Sequence, residues 1–564
     1  MHNRHPVVLL ALILTACVVQ RTVAQEIDEQ QAAKIHALFA EVDTPGSAGA
    51  SLAVAKGGRI IYANGYGYAN LEYDVPIIPS TVFHVASVSK QFTAFAVALL
   101  ADRGELSLDD DIRKHLPELP DFGHKITLKH LIFHTSGIRD QWSLLQIAGW
   151  RMDDVITTEQ IMTMLGNQRE LNFDPGAEHT YSNSGYTLLA QVVERVTGES
   201  FSEWTRKNIF EPLEMTGTHF HDDHQMIVKK RAYSYAKTED GFKNIVLSYA
   251  TVGPTSLFTT AEDLSKWAHN FFDPKVGGQA VVEQMLEQGV LNDGTQLDYA
   301  FGLFVDDHGG QRVFHHGGAD AGFRTYVIMY PEHELSVVVL GNLPSFSPSE
   351  KAKKVAEIVL GDVIKTAEGD HTGADTDTDT DTDVEVDSRI FDRYVGKYAV
   401  ESFGILEILV EDDCLKMQLG DRKHELLQRS ETEYDVKFAT LAFHVEQDGS
   451  VERFRFIFGG SKLQSFGRRL NPPNLSAAEL AAYTGDYFSE ELHTTYRLMI
   501  EDGGLVAWHP RVASAELVAT DVDRFAGNNF RFANLSFTRN AEGAVNGFLL
   551  TGPRVRNLRF KKVE

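Results

Sequence analysis

The chain has 564 residues, 43% of them hydrophobic and 23% charged, and a formal net charge of −26. One hydrophobic core stops growing at roughly 250–300 residues, so more than one domain is expected, and the ordinary mixed composition argues against a disordered chain or a membrane bundle. The acidity argues against nucleic acid as a partner, because phosphate backbones are held by clustered Lys and Arg.

Residues 1–24 read as an export signal: Arg4 stands near the amino terminus, and Val7 to Val19 form an apolar run too short to span a bilayer. Two processing patterns coexist there. Thr22-Val23-Ala24 suits a signal-peptidase cut before Gln25, whereas Leu14-Thr15-Ala16-Cys17 resembles the lipobox of bacterial lipoproteins and offers Cys17 as a lipid anchor. The expected destination is periplasmic or secreted. Cys414 is the only other cysteine, so at most one disulfide can form and stability must come from packing.

Residues 25–365 show a mixed α and β pattern. Ala48 to Val54 and Arg59 to Gly65 are β-rich runs around Lys56-Gly57-Gly58, and Arg324 to Tyr330 and Leu335 to Leu340 pair around Pro331-Glu332-His333; both are hairpin signals. Phe92 to Leu100 predicts a buried helix ending near Gly104. Ser347-Pro348-Ser349-Glu350 predicts a capping box, followed by an apolar stripe of Ala352, Val355, Ala356, Val359 and Val363 that should lie on the sheet.

In residues 366–387, Asp375, Asp377, Asp379, Asp381 and Asp383 alternate with threonines, the composition of a self-repelling linker. It has neither the turn glycine nor the spaced bidentate Glu of a calcium loop. Beyond it the helix signals fade and short alternating runs predict antiparallel β structure, divided into residues 388–471 and 472–564. An internal repeat supports the division. Tyr394-Val395-Gly396-Lys397-Tyr398 recurs as Tyr483-Thr484-Gly485-Asp486-Tyr487, and Phe443, Gly449, Val451 and Phe454 recur as Phe537, Gly543, Val545 and Phe548. Two copies are too few for a solenoid and predict two small barrels.

Three short motifs carry chemistry. Ser87-Val88-Ser89-Lys90 opens the apolar helix, which puts serine and lysine on one face of its first turn, where the macrodipole favours a developing oxyanion. A lysine buried there loses its proton more easily and can accept that of Ser87. Read alone, the motif also describes a helix cap beside a solvated lysine. Tyr181-Ser182-Asn183 follows a turn signal, Asp174-Pro175-Gly176, and precedes a helical run from Tyr186, so it sits on a connecting loop where a phenol can relay a proton and an amide can orient a carbonyl. His316-Gly317-Gly318 precedes the second hairpin, where glycine lets a substrate lie close to strand backbone. His315 and His316 are neighbours on a strand and point to opposite faces, so joint metal ligation is not expected.

Taken in this order, Ser87-x-x-Lys90, Tyr181-x-Asn183 and His316-x-Gly318 resemble the motif set of serine β-lactamases and penicillin-binding proteins. Ile126-Thr127-Leu128-Lys129-His130-Leu131, His134-Thr135-Ser136-Gly137 and Tyr181-Ser182-Asn183-Ser184-Gly185-Tyr186 fit the same family. The resemblance covers roughly residues 30–365 and implies an α+β fold: an antiparallel sheet flanked by helices, plus an all-helical region, with the site between them. The barrels that follow are expected to be lipocalin-like. The resemblance further implies Ser87 as acylated nucleophile, Lys90 as base, Tyr181 as proton relay, Asn183 and Gly318 as substrate contacts, and the backbone N–H groups of Ser87 and Ala319 as oxyanion hole. His134 is implied to be a hydrogen-bonded loop residue outside the site.

His316 stands where the family usually has lysine, and would steer a charged or polar end of the substrate. Histidine there, with two barrels following, resembles D-stereospecific aminopeptidases. The expected activity is serine hydrolysis of small peptides or amides, some with D-residues. A carboxylesterase or β-lactamase of the same fold, and a penicillin-sensing or cell-wall-binding module that acylates without turnover, are the alternatives. No metal or cofactor is implied. The barrels are expected to bind, shield or oligomerise, and by analogy with the aminopeptidases a barrel loop is expected to reach the cleft.

Overall fold

The computed structural model describes residues 27–364, 388–400, 403–420, 422–436, 439–458, 464–473 and 475–563; residues 1–24, read as an export signal, and 366–387, read as a linker, lie outside the described residues. Both hairpins expected from the sequence form, within a residue or two of their expected ends. Six strands make one antiparallel sheet: β1 (Ala50–Lys56), β2 (Arg59–Tyr66), β3 (Phe304–His308), β4 (Gln311–Asp320), β5 (Phe323–Tyr330) and β6 (Leu335–Gly341), in the order β3-β4-β5-β6-β1-β2.

The central strand β6 is buried along its whole length, and its period-two alternation divides its side chains between two cores. Leu335, Val337 and Val339 join Leu52, Val54 and Ile328 beneath the helices Glu29–Ala37 and Pro348–Leu360. Val338 and Leu340 face the other way, toward the helix Ala261–His269 and the helical region that holds Ser87. Pro348–Leu360 is the helix read from the apolar stripe. Its start differs in one detail, because Ser347 does not make the capping hydrogen bond that the Ser-x-x-Glu pattern predicts; Pro348 at the first position starts the turn instead.

The second half contains two β units. The first is a nine-stranded antiparallel sheet whose two edge strands, Arg422–Glu425 and Leu427–Gln428, are separated by one residue, so the sheet curls nearly closed. The second is a closed eight-stranded barrel. The internal repeat has a structural cause. In each unit the second tyrosine of the Tyr-x-Gly-x-Tyr run donates its hydroxyl to the carbonyl of the first, Tyr398 to Tyr394 and Tyr487 to Tyr483, both at 2.8 Å. Likewise Phe443 pairs with Phe454 and Phe537 with Phe548 across equivalent hairpins, whose turns use Gly449 and Gly543 at φ 84° and 82°.

The closed barrel docks on the helical region, and the two share one continuous apolar core. A buried ion pair keys them together. Arg139 Nη1 lies 2.6 Å from Glu491, and its Nε and Nη2 donate to the Arg556 carbonyl at 3.1 and 2.8 Å. Close by, Tyr496 donates its hydroxyl to the Ile147 carbonyl at 2.9 Å.

Candidate active site

Ser87 sits on a single 3₁₀ turn, Ala86–Val88, that feeds the buried helix Ser89–Asp102. Ala86 takes φ 47°, a left-handed conformation that side chains disfavour, and this kink puts Ser87 at the mouth of the helix. Two features hold the kink. Ser89 Oγ donates to the Ala86 carbonyl at 2.5 Å and accepts from Leu257 N at 3.1 Å. On the sheet side, Thr325 Oγ1 donates to the Val85 carbonyl at 3.0 Å, and Gly318 lies so close that a Cβ would run into that same carbonyl. The glycine of His-x-Gly thus lets the Ser87 turn pack on β4.

Lys90 is fully buried one turn on. Its Nζ lies 3.1 Å from Ser87 Oγ and 2.9 Å from both Asn183 Oδ1 and the Pro254 carbonyl. Burial pushes the lysine pKa down to about 7; Asp320 and Asp140 oppose that fall and Arg554 adds to it. Asn183 has a different partner on its amide nitrogen. Its backbone N and its Nδ2 both donate to Asp140 Oδ2 at 2.8 Å, which fixes the amide with its oxygen toward Lys90. Asn183 thus brackets the lysine amine from a buried position.

Tyr181 is partly exposed, with Lys90 Nζ 4.8 Å from its ring centroid. Its hydroxyl is buried and makes no hydrogen bond among the described residues. Burial drives the phenol pKa well up, against the pull of the neighbouring Ser87 hydroxyl and the Arg554 cation. His134, at φ 57°, packs its ring 4.1 Å from that of Tyr181 and accepts from Ser182 N at 3.2 Å, so it braces the loop from behind. This is the supporting place expected for it.

His316 departs from expectation. It is 3% exposed, and burial followed by the nearby Lys90 charge pushes its pKa down to about 3. Its Nδ1 lies 2.6 Å from the Gly317 carbonyl, which can only accept, so Nδ1 carries the proton and Nε2, 3.3 Å from the Tyr299 hydroxyl, is the acceptor. A neutral, doubly bonded imidazole cannot steer a charged group electrostatically. Three residues on, Ala319 is exposed on β4, while the Asp320 carboxylate is held by His84 Nε2 at 2.9 Å and by Thr255 Oγ1 at 2.5 Å.

Asp140, Pro254, Tyr299 and Arg554 were not singled out from the sequence. Asp140 left a faint signal as the N-cap of the helix Gln141–Ile147, accepting from Trp142 N and Ser143 N. Pro254 acts through its carbonyl, which the positive φ of Gly253 turns toward the lysine. Arg554 comes from the closed barrel, on the turn between strands Val545–Gly552 and Val555–Lys562. Its guanidinium carbon stands 5.1 Å from the Tyr181 ring centroid, so a barrel loop does reach the cleft.

Comparison with known proteins identifies the family of this fold. Residues 25–360 match the model of the Beta-lactamase family, and residues 380–471 match a domain of unknown function (DUF3471). A penicillin-binding protein of Bacillus subtilis (strain 168) is 26% identical over 71% of this chain and 92% of its own length. A D-aminopeptidase of Gluconobacter oxydans (strain 621H) is 28% identical over 57% of this chain, and the match spans 61% of that enzyme. Among solved structures, the octameric penicillin-binding protein homologue from Pyrococcus abyssi shares the fold with a TM-score of 0.55, at 24% identity over 78% of this chain and 99% of its own. With the family model covering more than half of the chain, and a serine, a buried lysine and a tyrosine brought together where the family's motifs fall, the protein belongs to the Beta-lactamase family.

Proposed function

We propose that this β-lactamase-fold hydrolase works through a serine acyl-enzyme on small peptides or amides, with D-configured residues among its substrates. One observation carries the reading: a buried lysine amine 3.1 Å from a partly exposed serine hydroxyl, with its pKa brought near neutrality. Neutral Lys90 accepts the Ser87 proton as Oγ attacks the carbonyl carbon. The oxyanion is held at the backbone N–H groups of Ser87 and Ala319. Tyr181 hands a proton to the departing amine and is reprotonated from Lys90, and water then attacks the acyl ester by the reverse path. The D-aminopeptidase relative supports the choice of stereochemistry, and the amino-terminal segment supports an exported enzyme.

Ser87→Ala tests the mechanism. It should abolish turnover of D-alanyl amides and remove the adduct that a fluorophosphonate leaves in intact-mass spectra. Undiminished turnover in that variant refutes the mechanism. A stoichiometric burst with no further turnover in the native enzyme would instead favour a penicillin-sensing module.

A further inference from the structure

Building on that hydrolytic reading, we propose that Arg554, carried into the cleft by the closed barrel, selects substrates whose departing half bears a carboxylate. The cations elsewhere on this hairpin are spoken for. Arg556 pairs with Glu178, Arg559 with Glu170 and Lys561 with Glu490, while Lys562 donates to the Ala482 carbonyl. Among the described residues, no group pairs with the Arg554 guanidinium by ion pair or hydrogen bond. In a chain with a net charge of −26, an exposed arginine left beside the Tyr181 ring is not there for want of acidic partners.

Its backbone is fixed even though its head is free. The Arg554 carbonyl accepts from Asp140 N at 3.2 Å and from Asn172 Nδ2 at 2.9 Å, and Arg556 N donates to Asn172 Oδ1 at 2.7 Å. The residue sits at φ 59°, the kind of turn conformation that aims a side chain away from its strand. The hairpin is therefore tied to the helical region at Arg554 itself and at Arg556. Lys90 and Arg554 lie 4.8 and 5.1 Å from the centroid of the same Tyr181 ring, which bounds their separation at about 10 Å, near one Debye length at moderate ionic strength.

Position sets the polarity of the choice. Tyr181 serves the leaving group in the proposed chemistry, so a cation resting on its ring faces the half of the substrate that departs. A planar guanidinium matches a carboxylate in two hydrogen bonds, as at the free carboxyl end of a short peptide. His316 is neutral and occupied, and so leaves this recognition to Arg554.

The test uses the full-length protein and two esters of D-alanine, one with a 3-carboxyphenyl and one with a 3-carbamoylphenyl leaving group. The native enzyme should favour the acid, and Arg554→Gln should lower the acid-to-amide ratio of kcat/KM by about tenfold or more, mainly through KM. Arg554→Lys should recover part of that ratio, and 0.5 M salt should shrink it in the native enzyme. A ratio unchanged in Arg554→Gln overturns the proposal, as does an equal loss on both esters, which would make Arg554 a strut of the hairpin. Failure of the underlying hydrolytic reading shows separately, as turnover of both esters by Ser87→Ala.

Discussion

The acid limb of the pH profile reports directly on Lys90. An ordinary lysine at pH 8 would be less than 1% neutral, whereas an amine with a pKa of about 7 is mostly neutral there and about one-tenth neutral at pH 6. Holding the ammonium out of water accounts for the difference, worth roughly 5 kcal/mol between its two protonation states. On an uncharged ester, kcat/KM should therefore rise tenfold per pH unit below an apparent pKa near 7 and level off above it. Asp140→Asn separates this group from others. Asparagine is an equally good N-cap, so the helix Gln141–Ile147 keeps its start, but the negative charge that favours the ammonium is gone. The limb should move to lower pH. His316 and His134 are both held far below the window and cannot supply a limb there. The measurement is kcat/KM from pH 5 to 9 for both proteins. A limb above pH 9, or one that stays in place in Asp140→Asn, would refute the assignment of Lys90 as base.

The same depressed pKa has a stability consequence: the unfolded chain binds the Lys90 proton up to about pH 10, the folded chain only up to about pH 7, so native stability should rise with pH across that window. Denaturant melts of the native protein and Lys90→Met at pH 6.5 and 9.5 should show the native protein gaining relative to the variant; a constant difference refutes the burial argument. Gly318→Ala should cost 10²-fold or more in kcat, because its Cβ meets the Val85 carbonyl and pushes the Ser87 turn off β4, while near-native activity would show that the turn can shift freely. Tyr181→Phe should slow amides more than aryl esters, since a phenolate leaving group needs little proton donation, and equal slowing of both would remove the relay. Glu491→Ala should lower stability by about 3–5 kcal/mol in denaturant melts, because it strands the buried Arg139 guanidinium; a loss under about 1 kcal/mol would mean that water reaches the site.

Local patterns made much of the fold readable. The two hairpins, the Ser89–Asp102 helix and the paired Tyr-x-Gly-x-Tyr units each depend on neighbours in sequence, and each formed close to its expected limits. The contact between Ser87 and Lys90 was legible for a related reason: the two stand one helical turn apart, so their spacing already encodes it. The charge state of His316 was not legible. Its ionisation depends on burial and on Lys90, 226 residues earlier in the chain, and neither is visible in a tripeptide. The bracketing of Lys90 by Asn183 was not legible, because Asp140, which orients the amide, stands 43 residues away. Arg554 carried no motif at all, since its meaning comes from how a barrel docks.

Arg139 and Asp140 are consecutive residues that face opposite tasks. Arg139 accepts the barrel, through Glu491 and the Arg556 carbonyl, while Asp140 brackets Asn183 and through it the catalytic amine. The Asp140 backbone N–H closes the circuit by donating to the Arg554 carbonyl. A shift of the barrel hairpin would therefore be felt within one residue of the group that sets the Lys90 environment. The closed barrel thus touches the site in two physical ways: it places a cation on the Tyr181 ring, and it covers Arg139, the neighbour in sequence of Asp140. In the proposed mechanism the same burial that lets Lys90 act as a base near neutral pH ties the docked barrel to the site.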